Sequence, residues 1–107
     1  MAVDPLGRFV YVANNISSDI WAYQIGENGA LTPVAGSPFS AGLNPYGVAV
    51  DFFGRFVYTA NYAGNNVSAY HIAKDGALTP VAGSPFPAGS NPISVTVSPS
   101  RPDWPGQ

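Results

Sequence analysis

The sequence contains no cysteine. That excludes disulfides and thiolate-bound metals, and it leaves the compartment unknown. Charge is scarce as well: four Lys and Arg and six Asp and Glu make up 9% of 107 residues, with a net charge of −2. About a quarter is usual for a soluble domain. Four scattered basic residues give no electrostatic footprint for nucleic acid. No apolar run approaches the ~20 residues that span a bilayer, so no membrane partner is expected. The opening MAVDPLGRF lacks the basic and apolar regions of a signal peptide and reads as the middle of a repeat, as if a longer protein had been entered partway. HExxH, GxSxG, P-loop and GxGxxG motifs are all missing. No cofactor or metal is expected from these residues.

What is present is apolar and punctuated. Hydrophobic residues make up 46% of the chain, with 12 Gly and 11 Pro at regular places. Such spacing marks turns between strands rather than disorder. The stretch GALTPVAGSPF at Gly29 to Phe39 returns letter for letter at Gly76 to Phe86. A shift of 47 residues aligns Asp4–Val50 with Asp51–Val97 without a gap, and 28 of the 47 pairs are identical. A period of this length signals a supersecondary unit whose copies bury each other's faces.

Each copy divides into the same pieces. Asp4-Pro5-Leu6-Gly7 and Asp51-Phe52-Phe53-Gly54 fit type I turns. Aromatic and β-branched strands follow, RFVYVAN from Arg8 and RFVYTAN from Arg55. Both faces of these strands are apolar, so both should be covered. Phe9 and Phe56, and likewise Tyr11 and Tyr58, should occupy equivalent buried places between blades. Polar loops lead to IWAYQI and VSAYHI. Asn28-Gly29 and Asp75-Gly76 then suggest type I′ hairpins. The return strand, Ala30 to Val34 in the first copy, carries Pro33 and so belongs at a sheet edge. AGSPFSAGLNP and AGSPFPAGSNP read as irregular connections. YGVAV (Tyr46 to Val50) and ISVTV (Ile93 to Val97) read as short apolar innermost strands.

Four short antiparallel strands recurring every 40–50 residues describe β-propeller blades. The fold class is therefore all-β, with two blades per chain. The motif FVYVAN, with DPLG before it and NGAL after it, resembles the YVTN-type repeat of lactonase-like β-propellers. The second copy matches through RFVYTAN and DGAL. The resemblance runs nearly to Val97. It implies blades of a ring that is usually seven-bladed, in a family that includes 6-phosphogluconolactonase-like enzymes and surface or binding proteins.

The expected layout is a first repeat over 1–50 with its innermost strand largely missing, a second blade over 46–87, an innermost strand at 93–97, and a tail over 98–107. Two blades cannot close a ring. Residues 93–97 are expected to complete the first blade of the next copy, so that the chain's partner is itself. Three copies would give six blades and four would give eight, with three favoured as needing fewer partners. A gene fragment or an engineered piece is a further reading.

Catalytic residues are not identifiable. His71 aligns with Gln24, away from the innermost strand. Asp4 and Asp51 serve turns and can pair with Arg8 and Arg55; Asp75 serves a hairpin; Glu27 and Asp103 look solvated; Asp19 aligns with Asn66. No carboxylate pair for acid–base work emerges. The suggestive groups are neutral. The loops before the innermost strands and after the second strands share one face. There Asn14, Asn15, Asn44, Tyr46, Asn61, Tyr62 and Asn91 form a candidate site for a small polar ligand or carbohydrate, although turn chemistry alone can account for Asn residues at such places. The expected function is thus a self-assembling, non-catalytic binding or structural module. The alternative is a lactone hydrolase completed by oligomerisation.

Overall fold

Why these residues make two sheets is visible in the register. The computed structural model describes residues 1–97. Its strands are β1 (Ala2–Val3), β2 (Phe9–Asn14), β3 (Asp19–Ile25), β4 (Leu31–Pro33) and β5 (Phe39–Ser40), then β6 (Pro45–Val50), β7 (Phe56–Asn61), β8 (Asn66–Ile72), β9 (Leu78–Pro80) and β10 (Phe86–Pro87). All pairings are antiparallel. In blade I the order is β1-β2-β3-β4, with β5 also on β3; in blade II it is β6-β7-β8-β9, with β10 also on β8. The 47-residue shift carries each pairing onto its counterpart. Tyr11 pairs with Ala22, for example, and Tyr58 with Ala69.

The type I turns form as read: Gly7 N–H donates to Asp4 O (2.8 Å) and Gly54 N–H to Asp51 O (3.1 Å). Asp4 also accepts from the backbone N–H and from Nε of Arg8 (3.2 and 2.7 Å). Burial by itself would raise the Asp4 carboxyl. The Arg8 hydrogen bonds and charge outweigh it, holding that carboxyl below its ordinary value.

Two readings of the sequence need correction. The hairpins are not type I′: positive φ occurs at Gly29 (85°) and Gly76 (89°) but not at Asn28 or Asp75. Gly29 N–H donates to Gly26 O (2.9 Å), so each hairpin is a type I turn closed by a left-handed glycine. The "irregular" connections are also partly strand. Phe39 pairs with Ile20 and Phe86 with Val67, so the outermost position of each blade is filled in two pieces, on either side of a cis Ser-Pro bond. Ser37 Oγ and Ser84 Oγ accept from the N–H of Ala22 and Ala69, which the broken strand leaves over. Ile93–Val97, expected to complete a blade of another copy, forms no strand within its own chain, and the backbone of Ile93 to Val95 lies against Gly47 of β6. The tail, 98–107, lies outside the described residues.

The core sits between the blades. Phe9, Tyr11, Ile20, Ala22 and Val34 of blade I form one cluster with Val48, Val57, Tyr70 and Leu78 of blade II. Here the expected equivalence of the two aromatic pairs splits. Phe9 and Tyr11 are 4% and 0% exposed, whereas Phe56 and Tyr58 are only half-buried. The reason is position: the first pair faces blade II, and the second faces away from it, where no described residue packs a further sheet against them. Burial of Tyr11 raises its hydroxyl pKa, and the hydroxyl donates to Gly76 O across the interface (3.0 Å).

Two outcomes follow from this packing. Tyr11→Ala should cost ~3–5 kcal/mol and Tyr11→Phe ~1 kcal/mol in chemical denaturation. Asp4, whose folded pKa is lowered, stabilises the fold above the unfolded carboxyl's pKa of about 4 and ceases to do so as pH falls through the folded value. The difference in Tm between the wild type and Asp4→Asn should therefore be full at pH 7 and shrink progressively as pH falls below the unfolded carboxyl's pKa of about 4. A pH-independent difference would assign the effect to the turn rather than to the charge.

Candidate functional site

One end of the two sheets gathers most of the residues singled out above, and a β-bulge organises them. Pro45 pairs with Asn61, but the register then shifts, so Tyr46 has no cross-strand partner before Gly47 meets Ala60. A bulge re-aims the side chain it carries. Tyr46 is 47% exposed, and its ring meets that of Tyr62 edge-on, with centroids 5.0 Å apart and an interplanar angle of 81°. Tyr62 N–H donates to Asn44 O (2.9 Å).

Asn44 occupies the left-handed region at φ 53°, which asparagine tolerates better than most residues. Its N–H donates to Ser18 Oγ (3.2 Å) and its Nδ2 to Asn15 O (2.9 Å). Asn15, Asn44, Tyr46 and Tyr62 thus meet across the junction of the two blades. The remaining three candidates do not join them. Asn61 is fully buried: Nδ2 donates to Asn66 Oδ1 and Ser68 Oγ (both 2.8 Å), and Oδ1 accepts from Thr59 (3.1 Å). Asn14 Nδ2 donates to Asp19 Oδ1 (3.0 Å). Both side chains tie the strand ends together. Asn91, the counterpart of Asn44, is exposed with φ 54°, and its N–H donates to Asn65 Oδ1 (2.9 Å).

The titratable groups lie mostly elsewhere. His71 packs against Phe56 (5.2 Å between centroids) at the other end of β7. That end is about 16 Å from Asn61 at ~3.3 Å per residue. The Asp4–Arg8 and Asp51–Arg55 ion pairs sit at that far end too. Asp19 is at the near end, where it accepts from Asn14 Nδ2 and Ser17 Oγ (3.0 and 2.8 Å). Among the described residues no group of three His, Asp or Glu side chains could hold a metal.

Sequence reasoning passed over a second feature. A shallow, open hollow of about 600 Å³ lies on the outward side of blade I, lined by Asn14, Asn15, Ser17, Trp21 and Tyr23 among others. Trp21 and Tyr23 stack there, 5.9 Å apart and 17° from parallel. The available signal was Trp21 standing where the second copy has Ser68.

Comparison with known proteins agrees with this architecture. Residues 1–94 match the family described as "Lactonase, 7-bladed beta-propeller". No curated protein is significantly similar. Among similar solved structures is a proposed 6-phosphogluconolactonase from Bacteroides fragilis NCTC 9343. Its TM-score is 0.78 at 19% identity, over 86% of this chain and 26% of that one. A periplasmic gluconolactonase from Pseudomonas aeruginosa gives 0.74 at 22% identity, over 84% and 25%. Hydrazine synthase from Kuenenia stuttgartiensis gives 0.75 at 18% identity, over 92% and 25%. The chain spans about a quarter of the length of these structures. At such identities the likeness is one of fold, and the fold carries unrelated activities.

Proposed function

The chain belongs to the lactonase family of seven-bladed β-propellers, and from that premise we propose that it is a self-assembling blade pair whose loop face binds a small polar ligand or carbohydrate. The observation that carries this reading is the bulge at Tyr46. It sets an aromatic edge-on pair beside Asn15 and Asn44. An exposed ring gives an apolar platform for the C–H face of a sugar, while amide groups around it exchange hydrogen bonds with hydroxyls. The role proposed is binding without chemistry. The partner proposed is the chain itself, three copies making six blades or four making eight.

A second reading is a lactone hydrolase, favoured by the family and by the gluconolactonase names of two similar structures. It requires a group on the loop face to activate water or to polarise the lactone carbonyl. Asp19 is the described carboxylate at that end, and it is already engaged by Asn14 and Ser17.

The two readings separate experimentally. Calorimetric titration with a panel of mono- and oligosaccharides should find a ligand whose affinity falls ~10-fold or more in Tyr46→Ala and Tyr62→Ala, with the Tm little changed in Tyr46→Ala because that ring is half exposed. Turnover of 6-phosphogluconolactone or simple δ-lactones well above the spontaneous rate, lost on unfolding and reduced in Asp19→Asn, would replace the binding reading with the hydrolase.

A further inference from the structure

The contact between blades I and II is built from residues that the 47-residue repeat duplicates. Each half of it therefore occurs a second time, on an outward face. Phe9 lies over Gly76, where an added Cβ would come within 2.7 Å of the ring, and Tyr11 Oη donates to Gly76 O (3.0 Å). Gly54 abuts the Asp4–Arg8 ion pair, and Gly42 abuts the Asn61 side chain. Tyr70 Oη donates to Ser40 O (2.9 Å).

The duplicates of these groups lie on two different outward faces. Outward from blade II are Phe56, Tyr58, the Asp51–Arg55 pair and Gly89. Outward from blade I are Gly29, Gly7, Tyr23 and Asn14. Gly7, Gly29 and Gly89 meet nothing within 4 Å of an added Cβ, whereas Gly54, Gly76 and Gly42 are all in close contact. Leu31 is 49% exposed, while its duplicate Leu78 is 7% exposed at the interface.

We infer that the outward face of blade II docks on the outward face of blade I of a second copy, in the register of the internal interface. Tyr58 Oη then donates to Gly29 O of the neighbour, Phe56 covers that glycine, Asp51–Arg55 meets Gly7, and Gly89 meets Asn14. Tyr23 Oη donates to the carbonyl of residue 87; Pro87 replaces Ser40 there without loss, since only the carbonyl is used. One position changes size. At the internal junction a groove of about 190 Å³ runs beside Ser68, lined also by Ser40, Ala41, Gly42 and Tyr70. At the junction between copies Trp21 stands in place of Ser68, and the indole fills the equivalent groove. The hollow at Trp21 is accordingly a junction and not a ligand site.

The innermost strand fits the same register. Ala2 and Val3 pair with Tyr11 and Val10 as Ala49 and Val50 pair with Tyr58 and Val57. Those places are therefore filled, and a neighbour's Pro92, Ser94 and Val95 are left to lie beside Asn14, Ala13 and Val12, as Pro45, Gly47 and Val48 lie beside Asn61, Ala60 and Thr59. The contact is heterologous, so it closes into a ring or grows. It rests on the self-assembly proposed above and specifies its geometry. It does not depend on what the loop face binds.

Native mass spectrometry and sedimentation of the full 11.1 kDa chain should give a closed species of three or four copies. Gly89 has no positive φ and open space around it in the single chain, so Gly89→Gln should leave the circular dichroism spectrum unchanged. It should weaken association about a hundredfold by colliding with Asn14 of the neighbour. Leu31→Asp should dissociate the assembly likewise, by leaving a carboxylate in a closed apolar contact. A monomer or dimer at tens of micromolar, or an assembly that both variants leave intact, overturns the inference. Saccharide binding that persists in the dissociated Gly89→Gln chain would show that the binding reading stands apart from the assembly.

Discussion

Everything in this molecule depends on glycine facing an aromatic ring across the gap between two blades. Gly76 closes the β8–β9 hairpin in the left-handed region, and its missing side chain also admits the Phe9 ring and the Tyr11 hydroxyl. One residue thus meets a backbone demand and a packing demand together. A Cβ there would be strained twice, by its φ and by the ring. The same pairing of demands recurs at Gly54, which ends a type I turn and lies against Asp4 and Arg8. Sheets in a propeller must stack at a fixed separation, and the glycines set it by letting one blade's turns sink into the next blade's strand face.

The fold was legible because the duplication repeats its punctuation. Asp-Pro-Leu-Gly and Asp-Phe-Phe-Gly, the YxxN strand ends and the Asn-Gly and Asp-Gly pairs all fall at turns that the structure contains. What escaped was subtler. Type I turns with a closing glycine and type I′ turns both want Asn or Asp before Gly, so the dipeptide alone does not distinguish them. The second piece of the outermost strand was hidden because Ser-Pro reads as a break. It is a break, but beyond it the chain meets the same edge again, where Phe39 and Phe86 find a partner.

The candidate site was legible only in outline. Loop order placed seven residues on one face, but it could not distinguish an asparagine offered to solvent from one used up by its own strand end. Asn61 and Asn14 end strands, and their amides are consumed by Asn66, Ser68 and Asp19. Asn44 holds a left-handed backbone and reaches across to Asn15. The bulge that re-aims Tyr46 depends on a register slip between Pro45 and Gly47, and no residue pattern announces it. Burial misled in the same way. Tyr11 and Tyr58 are identical in sequence context, yet they differ in exposure because burial belongs to the neighbour as much as to the residue.

The two copies also diverge unevenly, and the divergence is concentrated towards one end of the blades. Several residues that meet across the blades are retained in both, namely Phe9 and Phe56, Tyr11 and Tyr58, Gly29 and Gly76, Gly42 and Gly89, whereas Ser40 answers to Pro87 and Ser68 to Trp21. The longest unbroken run of differences, seven positions, sets Asn15 to Trp21 against Tyr62 to Ser68, starting in the loop after the second strand and running into β3 and β8. Ile16, at the first of these tips, is 92% exposed and so lies outside the packing that holds the blades alike. A blade pair built in this way keeps interchangeable sides and unlike tips. In any ring made from it, the Asn15–Tyr62 junction would recur once per pair rather than once per blade. The alternation of tips, rather than the shared scaffold, is what would distinguish one junction from the next.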